Sequence, residues 1–539
     1  MYIEWDMKTV NRKKRTRISM AEPKVLGLGL ALAIISAAIC MQIMGQFGTS
    51  PNTSLIGAVL VMIVAKIPLA AVKSLRHLER QNYILSMASA AGFAAANCGF
   101  IAIAVMFLMG RYDLIMPMAF GALMGSMISI LIMGRLFDSR VFPATGAWPM
   151  GQAVASVIEA GDEGGKKGLH LLAGLAIGVV ASYFRIPAAG VGIAFIADMG
   201  AMAALGIGML LRGHSVRIFR GFDVGESNIA QGVMVGAGIV ALVQIIITIS
   251  KVRKKHPIKE EAFDISTHTE EHAISDSTAK KTIANSAWLF MAGALILALA
   301  TGIFSHMGPG QAALWVAFAG FTTVVVMMLV GTAAMHSGWA PAFAVVTICL
   351  TVGLIIGFPP VPLAVLVGYI GAIGLPFNDT GVGLKTGWLI RGKGMDKDYE
   401  AYGRKQQIII KQIGAVVGIA MAVTFGMVLT RGGVIPPMSV FYAYTVMETV
   451  SPALIRELAI WAVPGAVLQA AFGNKRSVGL MLATGLLINN PIFGIAVLAA
   501  IAVRLKIGTK FMEVRGPGLI AGDGLFGFGR NIFYAFFGG

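Results

Sequence analysis

Acidic side chains inside long apolar runs are the first candidates for chemistry in this chain. Asp198 lies in GIAFIADMGAMAALG, and Asp523 lies between glycines in GLIAGDGLFG. Ionisable groups in such runs are costly to bury and tend to be functional. A carboxyl group held away from water can take up and release a proton, so both residues are candidates for proton coupling. The alternative for Asp198 is a structural pair with a basic residue on a neighbouring helix.

Two segments interrupted by proline and glycine are candidates for substrate binding. They are residues 141–165, VFPATGAWPMGQAVASVIEAGDEGG, and residues 368–392, GYIGAIGLPFNDTGVGLKTGWLIRG. Proline lacks the donor N–H and clashes with the preceding turn, so each segment is predicted to contain a broken helix. In the first, helix is expected over 152–160; in the second, 378–380 is expected to be an N-cap turn before a helix over 381–390. Broken helices at membrane depth direct free N–H groups into a cavity.

The two broken segments together predict one substrate cavity. A lysine behind a helix N-terminus favours an anionic ligand, so Lys385 is expected to hold a carboxylate. Trp148 and Tyr83 are expected to supply apolar walls. The alternative for Lys385 is that its ammonium group reaches the membrane interface. The predicted substrate-binding residues are Tyr83, Trp148, Gly151, Gln152, Asp379, Lys385 and Thr386.

Composition identifies the class of protein. Of the 539 residues, 57% are hydrophobic and only 13% are charged, against about 25% charged in a soluble domain. The chain is therefore predicted to be an all-α polytopic membrane protein. Its net charge of +17 comes from Lys and Arg at the ends of apolar runs, which indicates topology and no nucleic-acid partner. The spacing of the three cysteines suggests neither a disulfide framework nor a metal site, and we expect no cofactor.

Apolar runs divide the chain into about sixteen transmembrane or re-entrant segments, eight in each half. Among them, the runs at 55–72, 187–211, 406–430 and 478–503 are each predicted to be one segment. We predict a cytoplasmic basic tail at 1–24, a first transmembrane half at 25–250, a polar linker at 251–282 and a second half at 283–539. The halves are expected to be repeats, because both end in a segment with the pattern G-x-x-x-G-x-G. The basic tail and the basic loops near residues 73–80 and 135–140 predict a cytoplasmic N-terminus, whereas the topology after residue 145 is left open.

Four stretches carry a resemblance to a known family. They are residues 81–92, 148–165, 383–392 and 518–527, with a basic, glutamine-containing stretch at 403–407 after the third. In this order they resemble motifs of the oligopeptide transporter family, which includes the yellow-stripe-like metal-chelate carriers. The resemblance implies about sixteen transmembrane helices in two halves and secondary active uptake of peptides, modified peptides or metal chelates, commonly driven by protons.

The chain departs from the family motifs at several acidic positions. Met150 and Ser156 stand where the first motif has acids, Gly383 stands where the Lys-Thr-Gly motif has its acid, and Asp523 replaces a glutamate. These departures make an acid-dependent step at 148–165 doubtful. Proton chemistry is therefore better sought at Asp198 or Asp523.

The sequence predicts a proton-coupled symporter of oligopeptides or related chelates in the inner cell membrane. The expected partners are a small peptide or chelate, protons and membrane lipid, and a homo-oligomer is left open. The alternatives are a metal-chelate or other small-solute carrier of the same fold, a membrane-embedded enzyme and a channel. An enzyme is disfavoured because the apolar runs contain no acid cluster for Mg²⁺ and phosphate and no His/Glu metal pair.

Overall fold

The structure is a computed structural model that describes residues 17–48, 77–163, 166–254, 273–337, 340–447, 452–472 and 478–508, with isolated positions in 49–76 and after 508. Within these ranges it contains helices and no β-strand, apart from one isolated bridge between Phe137 and Phe142. Eight of the described helices are long and apolar enough to cross a membrane. The prediction of an all-α polytopic membrane protein is confirmed, and the number of sixteen segments stays a prediction.

The described helices of the first half follow the predicted apolar runs with one exception. In chain order they are α1 (Pro23–Phe47), α2 (Leu78–Phe93), the π-helical segment (Ala94–Phe100), α3 (Ile101–Leu108), α4 (Ile115–Leu136), α5 (Pro149–Glu163), α6 (Lys166–Tyr183), α7 (Ala188–Ile196), α8 (Met199–Ile218) and α9 (Ile229–Lys254). The exception is the run at 187–211, which forms two helices instead of one.

The described helices of the second half begin within the predicted linker. They are α10 (Asp276–Thr301), α11 (Pro309–Ser337), α12 (Ala342–Ile356), α13 (Pro360–Ile390), α14 (Lys397–Met421), the second π-helical segment (Ala422–Gly426), α15 (Met427–Arg431), α16 (Pro437–Met447), α17 (Pro452–Phe472), α18 (Val478–Leu487) and α19 (Pro491–Ile507). Residues 1–16 of the predicted tail, 255–272 of the linker and most of the expected span at 55–72 lie outside the described residues.

The centre of the fold is α13, and here the predicted break is wrong. The helix runs without interruption from Pro360 to Ile390, through Pro376 and the expected turn at 378–380. Nearly every residue between Pro362 and Gly387 is buried, because α13 packs against α2, α4, α5, α11 and α12. Neighbouring helices on all sides hold the helix together where local sequence alone favours a break.

The polar groups that Pro376 leaves without helical partners are bonded in another way. A proline at this position removes the hydrogen bond to the carbonyl of Ala372, four residues earlier. The Ser126 hydroxyl on α4 lies within hydrogen-bond distance of two carbonyl oxygens, that of Ala122 at 2.7 Å and the freed one of Ala372 at 3.3 Å. Side-chain hydroxyls of this kind allow proline inside membrane helices.

The first broken segment begins its helix earlier than predicted. α5 starts at Pro149 and reaches Glu163, whereas the sequence predicts helix only over 152–160. Proline is well suited to the first helical position, because its fixed φ matches the helix and its missing N–H has no helical partner there. The turn before it requires a left-handed backbone at Trp148, with φ 37°, and the Trp148 N–H donates to the Met335 carbonyl at 2.8 Å.

Helices α6 to α9 and α17 to α19 pack together as a second bundle, in which two discontinuous helices contact each other. The predicted single segments at 187–211 and 478–503 each divide, into α7 and α8 and into α18 and α19. Asp198 caps α8 and Asn490 caps α19, each by accepting a hydrogen bond from a backbone N–H three residues later. A Cβ added at Gly208 would lie 2.5 Å from the Leu482 oxygen, so only glycine permits this backbone contact. The repeat relation between the halves stays a prediction.

Removing the Ser126 hydroxyl tests how Pro376 is accommodated. We expect Ser126→Ala to cost about 0.5–1.5 kcal/mol of stability, since the Ala372 carbonyl then lies buried without this donor. In a Pro376→Ala background the same change should cost less, because residue 376 regains an N–H for that carbonyl. Thermal unfolding of the four purified proteins in detergent measures this double-mutant cycle. Equal losses in both backgrounds would contradict the explanation.

Candidate functional site

Three helices turn polar faces towards one another inside the apolar bundle. On α14, Glu400, Gln407 and Lys411 lie on one face, because spacings of seven and four residues return to the same side of a helix. Polar residues of α2 and α13 face them with similar spacings. Gly383 on α13 permits the close approach, since a Cβ there would lie 2.7 Å from Cε of Lys411.

A buried ion pair lies at the middle of these polar faces. Nζ of Lys411 is 2.5 Å from Oδ2 of Asp379, and the two side chains are 0% and 2% exposed. The other carboxylate oxygen, Oδ1, accepts hydrogen bonds from Ser89 on α2 and from Ser54, the latter at 3.0 Å. The two serine hydroxyls are 2.9 Å apart. Both carboxylate oxygens are therefore bonded, as a buried charge requires.

Gln407, one helical turn before Lys411, lies between the ion pair and a second polar layer. Its side-chain nitrogen is 2.9 Å from the Gly383 carbonyl and 3.1 Å from Oγ of Ser86. Its side-chain oxygen accepts a hydrogen bond from Arg391 at 2.9 Å. The polar faces of α2, α13 and α14 are thus joined from the ion pair to the end of α13.

The second layer is a cluster around Arg391, at the end of α13. The Arg391 guanidinium is fully buried and binds the Glu400 carboxylate through two hydrogen bonds, of 2.7 and 2.9 Å. Glu79 on α2 accepts hydrogen bonds from Tyr83, at 2.9 Å, and from Tyr399. Burial lowers the pKa of Arg391, but the carboxylates of Glu400 and Glu79 outweigh it and raise the pKa, which keeps the guanidinium charged. We call these five residues the Arg391 cluster.

The structure brings the two predicted substrate segments into contact. The Lys385 ammonium donates to the carbonyls of Ala144 and Gly146 at 2.7 and 3.0 Å. Thr386 donates to the Gly151 carbonyl at 3.1 Å, and a Cβ at Gly151 would lie 2.8 Å from Cβ of Lys385. Lys385 therefore connects the loop before α5 to α13 through hydrogen bonds.

Trp148, Gln152 and Tyr83 lie in different surroundings. Trp148 is fully buried, and its indole N–H donates to the Pro143 carbonyl at 3.1 Å. Gln152 is exposed and donates to the Ala147 carbonyl at 2.5 Å. Tyr83 belongs to the Arg391 cluster. The predicted substrate residues thus do not line one cavity, and their roles in binding stay predictions.

Asp198 and Asp523 lie in the second bundle, at helix N-termini. Asp198 is exposed and accepts a hydrogen bond from the Ala201 N–H at 3.0 Å, as the cap of α8. Asp523 accepts from the Ser182 hydroxyl and, at 2.7 Å, from the Ala189 N–H at the start of α7. Carboxylates are stabilised at helix N-termini by the helix dipole. The exposed position differs from the desolvated one expected for Asp198, and the proton role of both residues stays a prediction.

Sequence reasoning missed most of the polar residues that the structure groups together. The apolar run predicts a span only from residue 406, whereas α14 begins at Lys397. The periodic spacing of polar residues at 400, 407 and 411 is the signal that could have shown a helix with one buried polar face. The missed residues are Ser89, Glu79, Arg391, Glu400, Gln407 and Lys411.

A family model described as OPT oligopeptide transporter protein matches residues 23–210. This part of the chain is similar to the oligopeptide transporter family. The match includes α1 to α7 and most of α8, and so contains Glu79, Ser89 and Trp148 but neither Asp379 nor Lys411. No curated protein matches the chain in sequence. With its apolar helices, the chain is a multi-pass membrane protein whose first part is similar to a transporter family.

The buried ion pair can be tested through stability. Removing one partner of a buried pair leaves the other charge unpaired, at a cost of about 3–5 kcal/mol. We therefore expect Asp379→Asn and Lys411→Met each to lower the thermal unfolding temperature in detergent. The double variant should unfold above either single variant, because it leaves no unpaired charge.

Lys405→Met is the matched control, since Lys405 lies on the same helix and is exposed. It should leave the unfolding temperature unchanged. A Lys411→Met protein as stable as this control, or a double variant that shows the full sum of both losses, would contradict the buried pair.

Proposed function

We propose that this protein is a proton-coupled symporter that imports oligopeptides or related carboxylate-bearing chelates across the inner cell membrane. The observation that supports it most is the Asp379–Lys411 ion pair, buried between α13 and α14 with two serine hydroxyls beside it. An ionisable pair at such depth is costly, and in membrane carriers such groups mark proton and substrate paths.

The proposed coupling rests on the competition of two carboxylates for one ammonium group. While Asp379 is ionised, Lys411 has a counterion at 2.5 Å. Protonation of Asp379 removes that negative charge, and a substrate carboxylate then becomes the favourable partner for Lys411. Loss of the proton restores the internal pair and releases the substrate. One proton and one carboxylate are thereby bound together.

The serine hydroxyls suit both protonation states of Asp379. A hydroxyl group can donate a hydrogen bond to a carboxylate or accept one from a carboxylic acid. Ser89 and Ser54 both lie against Oδ1 of Asp379. The site can therefore hold the neutral acid without leaving its O–H group unsatisfied, as reversible protonation requires.

Alternating access would open the transporter at the end that the Arg391 cluster closes. Arg391 follows Asp379 by twelve residues, or about 18 Å along a helix. The predicted cytoplasmic tail lies at this end, where the Met20 N–H donates to Gln406 at 2.9 Å. In the proposed cycle the Arg391 cluster separates to release substrate to the cytoplasm, past Trp148, Gly151, Gln152, Lys385 and Thr386.

A metal-chelate carrier is the second form of the same proposal. Among the described residues no three His, Cys, Asp or Glu side chains are grouped to hold a metal ion. A chelate would therefore be recognised here through its carboxylates, at Lys411. Competition experiments distinguish the two forms: either an unlabelled peptide or an unlabelled chelate should reduce uptake of the labelled substrate.

Uptake into proteoliposomes tests the proposal. An inward proton gradient should accelerate uptake of labelled trialanine by the wild-type protein. Asp379→Asn should abolish that acceleration, because residue 379 can no longer bind and release a proton. Its uptake rate under the gradient should therefore fall about tenfold or more below that of the wild-type protein. The gradient dependence of Asp198→Asn and Asp523→Asn shows whether either acid favoured by the sequence couples protons to uptake. Lys405→Met is the control.

Two results would overturn parts of the proposal. Peptide uptake that is indifferent to the gradient would remove proton coupling. A loss of gradient dependence in Asp523→Asn or Asp198→Asn, with Asp379→Asn unaffected, would move the coupling residue to the second bundle. Only variants whose unfolding transition in detergent remains cooperative are compared.

A further inference from the structure

The chain crosses two helices of the central bundle just before α1 begins. Residues 17–22 lead directly into Pro23, the first residue of α1. The Ile18 side chain is only 3% exposed, so packing holds this segment against the bundle. We call residues 17–22 the N-terminal strap.

Glu22 connects the strap to α2. Nε of Arg80 is 2.6 Å from Oε2 of Glu22, and Nη2 of Arg80 is 3.1 Å from Oε1. The guanidinium therefore binds both carboxylate oxygens, which fixes the orientation of the two groups as well as their distance. The two side chains are 24% and 33% exposed, so the pair lies at the edge of the bundle.

The described contacts of the strap with α14 are weaker. The Met20 N–H donates a hydrogen bond to Oε1 of Gln406 at 2.9 Å. The guanidinium carbon of Arg17 lies 5.6 Å from the centre of the Tyr402 ring, within range of a cation–π interaction. Tyr402 and Gln406 are four residues apart, so both contacts are on one face of α14.

The strap and the Arg391 cluster join the same two helices at the same level. Within the cluster, Tyr399 of α14 donates to Glu79 of α2, and a Cβ at Gly403 would lie 2.9 Å from Oε1 of Glu79. Arg80 directly follows Glu79 in the chain, and Gln406 lies about one turn after Gly403. The buried cluster and the partly exposed strap thus hold this end of α2 and α14 together from two sides.

Farther along the two helices, their backbones touch through glycines. A Cβ at Gly414 would collide with the carbonyl of Met87, and a Cβ at Gly418 would collide with that of Ala91. Gly414 follows Gln406 by eight residues, or about 12 Å along the helix. Two helices in close contact at one level separate most at the ends beyond it, and the strap lies at such an end.

We propose that the strap is a latch on the cytoplasmic gate, which must release α14 before the Arg391 cluster can separate. The inference rests on the proposed function, because it assigns a regulating contact to the proposed alternating access. The strap stays with α2 in this scheme, since α1 packs mainly against α2 and both partners of the Glu22–Arg80 pair are charged. The neutral hydrogen bond to Gln406 is the contact that opens.

Reversible cross-linking in proteoliposomes tests the latch. In a protein with Met20→Cys and Gln406→Cys, a short bifunctional methanethiosulfonate reagent joins the strap to α14. We expect this cross-link to lower proton-driven uptake of labelled trialanine about tenfold or more, because the gate can no longer open. Reduction of the cross-link should restore uptake. Uptake before cross-linking shows that the variant is folded.

A second pair of cysteines is the matched control. Glu22→Cys with Arg80→Cys joins the same strap to α2, and this cross-link should leave uptake unchanged. The wild-type protein controls for the reagent, since its three cysteines are buried. Undiminished uptake with the strap joined to α14 would overturn the latch. An equal loss with the strap joined to α2 would also overturn it, because α14 would then not be the helix released.

The outcomes distinguish the latch from the proposed function. If the wild-type protein takes up trialanine and the cross-link to α14 has no effect, the latch is wrong and peptide transport stands. If the wild-type protein takes up no trialanine, the proposed function fails, and gate opening is measured without substrate.

Labelling of a cysteine behind the Arg391 cluster measures gate opening directly. Ser86 is 1% exposed and lies against Gln407, so a maleimide reaches Ser86→Cys from the cytoplasmic side only when the cluster separates. The cross-link between residues 20 and 406 should slow this labelling about tenfold relative to the cross-link between residues 22 and 80. Equal labelling rates would overturn the latch whatever the substrate is.

Discussion

One buried ion pair constrains the arrangement of the central helices. A carboxylate and an ammonium group taken out of water are tolerated only with close contact and further hydrogen bonds. Asp379 and Lys411 meet this condition because α2 brings Ser89 to the carboxylate, and because Gly383 lets α13 approach α14. Rotation of any of these helices would leave a charge unpaired, so the pair specifies their registers.

The long central helix α13 places two different environments in series. The ion pair lies near the middle, and the Arg391 cluster closes the far end. Pro376 lies three residues before Asp379, where the helix has lost one of its own hydrogen bonds. The Ser126 hydroxyl lies within hydrogen-bond distance of the freed carbonyl. A helix held together by its neighbours at this point can bend when those neighbours move, as the proposed alternating access requires.

The sequence predicts the membrane class, most spans and the contact between the two proline-containing segments. The prediction from sequence is wrong at Pro376, because packing against the surrounding helices outweighs the local tendency of proline to break a helix. It also misses Lys411 and Arg391, because the partner of Lys411 lies on α13 and the partners of Arg391 lie on α2 and at the start of α14. Periodicity can show that a polar face exists, but only the packing of three helices shows which charges meet. Lys385 illustrates the same limit, because its contacts are two loop carbonyls.

Infrared difference spectroscopy tests the central claim, that substrate binding requires a protonated Asp379, most directly. Trialanine added to the purified transporter should produce the absorption of a newly protonated carboxylic acid. That absorption should be missing in Asp379→Asn and present in Asp523→Asn. A spectrum without a new carboxylic acid, or one in which the band persists in Asp379→Asn, would contradict the account.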